Sequence, residues 1–135
     1  MLKKFVWFTG LTDFLVGFAT FGGAIQLLMV PEPVKGQFVP LMTLGMFLCM
    51  AAALLMWASY DMKNRAPVMV WQGLVRLVAV AAVIYSVPNG LSVYKEEMYL
   101  LFWDGPIGLV YIIGAMKVTG CSLPQLILCK TDSGQ

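Results

Sequence analysis

The charged residues of this chain are confined almost entirely to short gaps between long apolar runs, and no other feature constrains the fold as strongly. Only 12% of the 135 residues are charged and 60% are hydrophobic, whereas a soluble domain carries about 25% charged residues. Such a chain has too few charges to cover a surface that faces water. The apolar runs approach or exceed the ~20 residues that a membrane helix needs. We therefore predict an all-α, integral membrane protein.

Four apolar runs are long enough to cross a membrane, and prolines lie near several of their ends, where helices tend to stop. Ser122 and Gln125 have the spacing of a capping box, which predicts a short interfacial helix after the last span. The predicted spans cover residues 5–30, 39–60, 68–87 and 98–118, and the interfacial helix covers 122–129. The length allows one domain, 1–135, and no soluble module beside it.

Small residues recur at three- and four-residue steps along each predicted span. Residues at this spacing share one helix face, and in lipid small residues mark the places where helices approach closely. Examples are Gly10 and Gly17 in the first span, Gly45 in the second, Gly73 in the third and Gly108 in the fourth. Because each span has such a face, we predict an antiparallel four-helix bundle.

The distribution of lysine and arginine predicts the orientation, because cytoplasmic loops carry an excess of positive charge. Six of these residues fall on one side of the predicted bundle and two fall on the other. The six are Lys3, Lys4, Lys63, Arg65, Lys117 and Lys130, and the two are Lys35 and Lys95. We therefore expect the N- and C-termini to lie in the cytoplasm.

Several classes of function are excluded or disfavoured by composition. Histidine is absent, which excludes haem ligation and proton shuttling by histidine within the chain. The spacing of Cys121 and Cys129 matches no zinc or haem pattern, and the net charge of +2 is scattered over loops without a basic face for nucleic acid. No nucleophile–base pair, no pair of carboxylates at one depth and no phosphate-binding glycine loop is present. We predict no enzymatic activity, no intrinsic cofactor, no metal site and no nucleic-acid partner.

Three ionisable residues, Asp13, Arg76 and Asp104, lie inside the apolar runs, where a charge is costly and needs a reason. Asp13 and Arg76 each lie about eight residues from the cytoplasmic end of their span, which places both ~12 Å deep. Their opposite charges predict an ion pair, and Gln72, one turn before Arg76, could bond to Asp13 or to a ligand. The pair either fixes helix rotation and register or forms a polar cavity for an anion, a headgroup or a proton. Alternatively, Arg76 reaches the surface and pairs with lipid phosphate.

Asp104 precedes Gly105 and Pro106, a pattern typical of a helix N-terminus because aspartate caps the first turn and proline is tolerated within it. A helix that begins there reaches Val118 after only ~21 Å, short of a ~30 Å hydrocarbon core. Either the fourth helix begins earlier and kinks at Pro106, or Leu91–Trp103 forms a separate interfacial or re-entrant piece. In the second case Asp104 would lie at the lip of an outer pocket.

The four spans, the Gly73-x-x-Arg76 pattern and the Asp104-Gly105 pair resemble small four-helix bacterial membrane proteins of the DoxX-like kind. The resemblance covers most of the chain and implies a bacterial inner membrane protein. Many proteins that look like this lack a known activity, and some are subunits of redox complexes.

Two functions are compatible with these features. The first is a non-enzymatic accessory or scaffold subunit of a larger membrane protein complex, whose partners are membrane lipids and other subunits or a second copy. Ten methionines and eight phenylalanines provide adaptable apolar surface for protein, lipid, quinone or pigment contacts. The alternative is a small transporter, or a protein that binds a lipid, quinone or anion, with the site at Asp13 and Arg76.

Overall fold

The computed structural model describes residues 1–29, 37–90 and 94–131, and for 94–100 it describes the backbone alone. Lys35, which enters the orientation argument, lies outside these ranges. The described residues form helices joined by turns, without a strand. The α-helices are α1 (Leu2–Gln26), α2 (Phe38–Tyr60), α3 (Ala66–Ser86), α4 (Tyr94–Thr119) and α5 (Leu123–Ile127), and a 3₁₀ turn, Leu27–Met29, follows α1.

The predicted all-helical class is confirmed, and each predicted span corresponds to a helix. Four helices are long and apolar enough to cross a membrane: Leu2–Met29, Phe38–Tyr60, Ala66–Ser86 and Leu101–Thr119. The chain divides into two compact units, Met1–Tyr60 and Asp61–Gln135, and each is described by itself. The single domain and the four-helix bundle therefore stay predictions.

In the first unit, α1 and α2 form an antiparallel hairpin whose backbones touch at glycines. A Cβ on Gly10 would lie 2.9 Å from Met56 Cγ, and a Cβ on Gly17 would lie 2.8 Å from the backbone nitrogen of Cys49. Gly10 contacts Met56, whereas Gly17, later in α1, contacts Cys49, earlier in α2. The two helices therefore run in opposite directions. These two glycines confirm the predicted close-approach face of the first span.

The second unit has the same arrangement in α3 and α4, with two glycines facing each other. A Cβ on Gly73 would lie 2.8 Å from the carbonyl oxygen of Gly108, and a Cβ on Gly108 would lie 2.9 Å from that of Gly73. Neither position has room for a side chain. Further along, a Cβ on Gly105 would meet Val80 at 3.8 Å, which again indicates antiparallel helices.

The short helix α5 lies where the sequence predicts it and has the predicted cap. Gln125 Oε1 accepts hydrogen bonds from the backbone N–H of Ser122 and from the Ser122 hydroxyl, each 2.8 Å long. So short a helix is marginal alone in water. It is held by packing, because Leu126 is fully buried and α5 contacts α3 and α4 of its own unit.

The start of α4 corrects the interpretation of Asp104. The helix begins at Tyr94 and continues through Pro106, so Asp104 lies well inside it and the predicted N-cap is wrong. A Leu91–Trp103 piece separate from α4 is wrong over residues 94–103, while 91–93 lie outside the described residues, and the outer pocket lip stays a prediction. The longer helix has 26 residues, about 39 Å, enough to cross a ~30 Å core. This length outweighs the local preference of Asp-Gly-Pro for a helix start.

Candidate functional site

The two long helices of the second unit are joined by an ion pair. Arg76 Nη1 on α3 donates to Asp104 Oδ1 on α4. The two side chains are only 10% and 14% exposed. In such surroundings two opposite charges attract each other more strongly than in water, and this attraction offsets the cost of removing both from solvent. Each charge therefore depends on the other to remain buried.

An aromatic ring on α4 gives the same guanidinium a second contact. Arg76 Cζ lies 5.8 Å from the centroid of the Tyr111 ring, and Tyr111 is fully buried. A cation over an aromatic face at this distance is attracted by the electrons of the ring. Tyr111 lies two turns after Asp104, so both project from the same face of α4. The helix α4 therefore holds Arg76 with a carboxylate and with a ring.

The glycine contact places the two helices close enough for this arrangement. Gly73 lies one turn before Arg76 on α3, and Gly108 lies one turn after Asp104 on α4. A Cβ on Gly108 would lie 3.4 Å from Arg76 Cβ, so the close approach of the helices adjoins the ion pair. We call Arg76, Asp104, Tyr111, Gly73 and Gly108 together the α3–α4 clamp.

The other predicted site residues are Asp13 and Gln72, both half-buried. Asp13 lies on α1 in the first unit and Arg76 lies in the second, and each unit is described by itself. The Asp13–Arg76 pair and the role of Gln72 therefore stay predictions. The structure adds that Arg76 has a carboxylate partner in its own unit.

The threonine hydroxyls of α1 bond to the helix itself. Thr9 donates to the Phe5 carbonyl at 2.8 Å, Thr12 donates to the Thr9 carbonyl at 2.8 Å, and Thr20 donates to the Val16 carbonyl at 2.9 Å. Bonds of this kind to the preceding turn satisfy a hydroxyl on an apolar helix without a second helix.

The sequence patterns do not identify Asp104 as the partner of Arg76, although the spacing of the two residues contains a signal. Arg76 lies 14 residues before Gly90, and Asp104 lies 14 residues after it. In an antiparallel hairpin, residues at equal distances from the middle of the connection lie at equal depth. The signal was obscured because Asp-Gly-Pro also has the local chemistry of a helix cap.

Among the residues that the structure describes, no group of three or more His, Cys, Asp or Glu could hold a metal ion. The three cysteines are free thiols, with Cys49 half-buried, Cys121 buried and Cys129 exposed. No protein-family model, curated protein or solved structure matches the chain. The DoxX-like resemblance therefore stays an expectation, and the function must be argued from the residues themselves.

Proposed function

We propose that the protein is a non-enzymatic accessory or scaffold subunit of a larger complex in a bacterial inner membrane. In this proposal the two hairpins insert as an antiparallel four-helix bundle with both termini in the cytoplasm. Membrane lipids and other membrane subunits, or a second copy of the chain, are its partners.

The α3–α4 clamp is the observation that supports this proposal best. A site that binds or transports an anion needs a charge that is available to the ligand, whereas Arg76 has Asp104 and Tyr111 as partners inside its own hairpin. Fixing helix register is the best-attested use of a buried ion pair. The arrangement therefore favours a rigid structural element over a ligand site.

The outward faces of the helices offer the surface that a scaffold needs. Large apolar side chains are exposed on each of the four long helices, including Phe18, Phe47, Val78 and Ile113. Such contiguous apolar surface is covered by lipid or by protein. Several exposed positions are methionines, which adapt to irregular partners: Met29, Met46 and Met50.

The proposal is tested by purifying tagged protein from its native membrane in mild detergent and measuring its composition by native mass spectrometry. We expect fixed partner subunits in constant stoichiometry. A lone monomer, with neither partner subunits nor a second copy, would contradict the scaffold role and favour the transporter or binding protein.

A matched variant separates a structural Arg76 from a functional one. Arg76→Leu combined with Asp104→Leu removes both charges of this ion pair together. We expect this protein to fold and to retain the same subunits. A folded double variant that loses its partners or its biological activity would contradict a purely structural clamp.

A further inference from the structure

An open groove of about 780 Å³ lies beside the first two turns of α1. The groove combines two cationic side chains with three aromatic rings. Its lining residues are Lys3, Lys4, Phe5, Trp7 and Phe8.

The charge of the groove is positive and is held at the end of the α1–α2 hairpin. Lys3 Nζ lies 5.3 Å from the centroid of the Tyr60 ring at the end of α2, which keeps this ammonium group beside the groove. Lys4 is exposed next to it, and the first turn of α1 contains no acidic residue. An anion is therefore the ligand whose charge complements this rim.

The wall of the groove is apolar. Trp7 and Phe8 are 39% and 58% exposed, so their rings are available to an apolar group. Tryptophan favours the level of the lipid headgroups, because its ring is apolar and carries one N–H donor. A ligand that complements both the lysines of the rim and the aromatic rings of the wall has an anionic head group attached to an apolar chain.

We propose that this groove binds one anionic phospholipid, with Lys3 and Lys4 on the phosphate and with Trp7 and Phe8 along the first part of an acyl chain. The inference rests on the proposed membrane position of α1 and is independent of the accessory role. Each lysine near an anionic headgroup contributes about a five- to sixfold gain in affinity. Two lysines together contribute about thirtyfold.

The test is a titration of the purified full chain in neutral detergent with phosphatidylglycerol, followed by native mass spectrometry. We expect Lys3→Gln combined with Lys4→Gln to bind phosphatidylglycerol about thirtyfold more weakly than the unaltered chain does. Phosphatidylcholine, whose headgroup has no net charge, should bind weakly to both proteins.

The matched control is Lys63→Gln combined with Lys130→Gln. This control also removes two positive charges, but from exposed positions outside the groove. We expect its affinity for phosphatidylglycerol to stay within about twofold of that of the unaltered chain. If this control loses as much affinity as the groove variant, net charge explains the effect and the site is overturned. Equal binding by the groove variant and the unaltered chain would also overturn it.

Two further measurements complete the test. Lys3→Arg combined with Lys4→Arg keeps both charges and should keep the affinity for phosphatidylglycerol, so a folded variant that loses it contradicts the proposal. Glycerol phosphate carries the anionic group without an acyl chain. If it competed for the groove as strongly as phosphatidylglycerol does, the groove would be a site for free anions and the phospholipid proposal would be wrong. Because the titration uses the isolated chain, its result does not depend on partner subunits. A failure of the lipid site can therefore be distinguished from a failure of the accessory role.

Discussion

Arg76 and Asp104 stabilise the second unit only as a pair, since both are charged and largely removed from solvent. We predict that Arg76→Leu or Asp104→Leu alone lowers the free energy of unfolding by about 3–5 kcal/mol, because the remaining partner becomes a buried charge without its counterion. The double variant should recover most of this loss, because two leucines need no counterion. Equilibrium unfolding in mixed detergent micelles measures all three values.

The same experiment distinguishes the two candidate partners of Arg76. If the losses from Arg76→Leu and Asp104→Leu simply add, the two side chains are not coupled and the clamp is contradicted. A parallel set of variants, with Asp13→Leu in place of Asp104→Leu, tests the Asp13–Arg76 pair that the sequence predicts. Coupling of Arg76 to Asp13 would support the ion pair predicted from the sequence.

Asp61, in the turn between α2 and α3, has a pKa below its ordinary value of 3.8. The main cause is a 2.9 Å hydrogen bond from the Asn64 side-chain amide, which favours the charged carboxylate. We predict that Asn64→Ala raises this pKa towards 3.8, as measured by NMR titration of the carboxyl carbon. Lys63→Ala is the control. Because Lys63 does not take part in this hydrogen bond, its substitution should leave the pKa of Asp61 close to its original value.

The sign of the pH dependence follows from that shift. Because folding lowers the pKa of Asp61, the bond stabilises the folded turn above the ordinary pKa. The contribution is lost as the pH falls through the lower, folded value. A pKa that stays low in Asn64→Ala would show that the amide is not its cause.

At the level of helices, the Gly73–Gly108 contact determines how closely α3 and α4 can pack. Gly108→Ala places a methyl group 2.9 Å from the Gly73 carbonyl oxygen, which belongs to the backbone and cannot rotate away. We predict a loss of about 1–3 kcal/mol in the free energy of unfolding from this overpacking. The measurement is equilibrium unfolding of the purified chain in detergent.

Gly105→Ala is the matched control on the same helix, because among the described residues its methyl group would meet Val80 alone, at 3.8 Å. Alanine is favoured over glycine inside a helix by up to ~1 kcal/mol. We expect this variant to be as stable as the original or more so. Equal losses at both positions would indicate that helix packing is not limiting at Gly108.

Much of this level of structure could be predicted from the sequence, because it depends on short-range patterns. Apolar length predicts the four long helices, and glycine spacing predicts the close-approach faces, as Gly17 and Gly73 confirm. Asp104 could not be assigned in this way. Its neighbours Gly105 and Pro106 favour a helix start locally, whereas its position depends on Arg76, which is 28 residues away in the chain.

At the scale of the whole molecule, the two hairpins make an even number of crossings if every long helix spans the membrane. In that case we expect Met1, the turn near Lys63 and the end of α4 to lie on one side of the membrane, and the turn near Asn89 to lie on the other. The lysine and arginine count predicts that the first side faces the cytoplasm.

Cysteine labelling in intact cells tests this topology. In a variant with Cys49, Cys121 and Cys129 replaced by alanine, single cysteines are introduced as Lys63→Cys and Asn89→Cys, both at exposed turn positions. We predict that an impermeant maleimide labels Asn89→Cys directly and labels Lys63→Cys only after the inner membrane is permeabilised. The reason is that α3, which joins the two turns, is a 21-residue apolar helix whose length of about 31 Å matches the hydrocarbon core. Labelling of both positions from one side would mean that α3 does not cross, and the four-span arrangement would then be wrong.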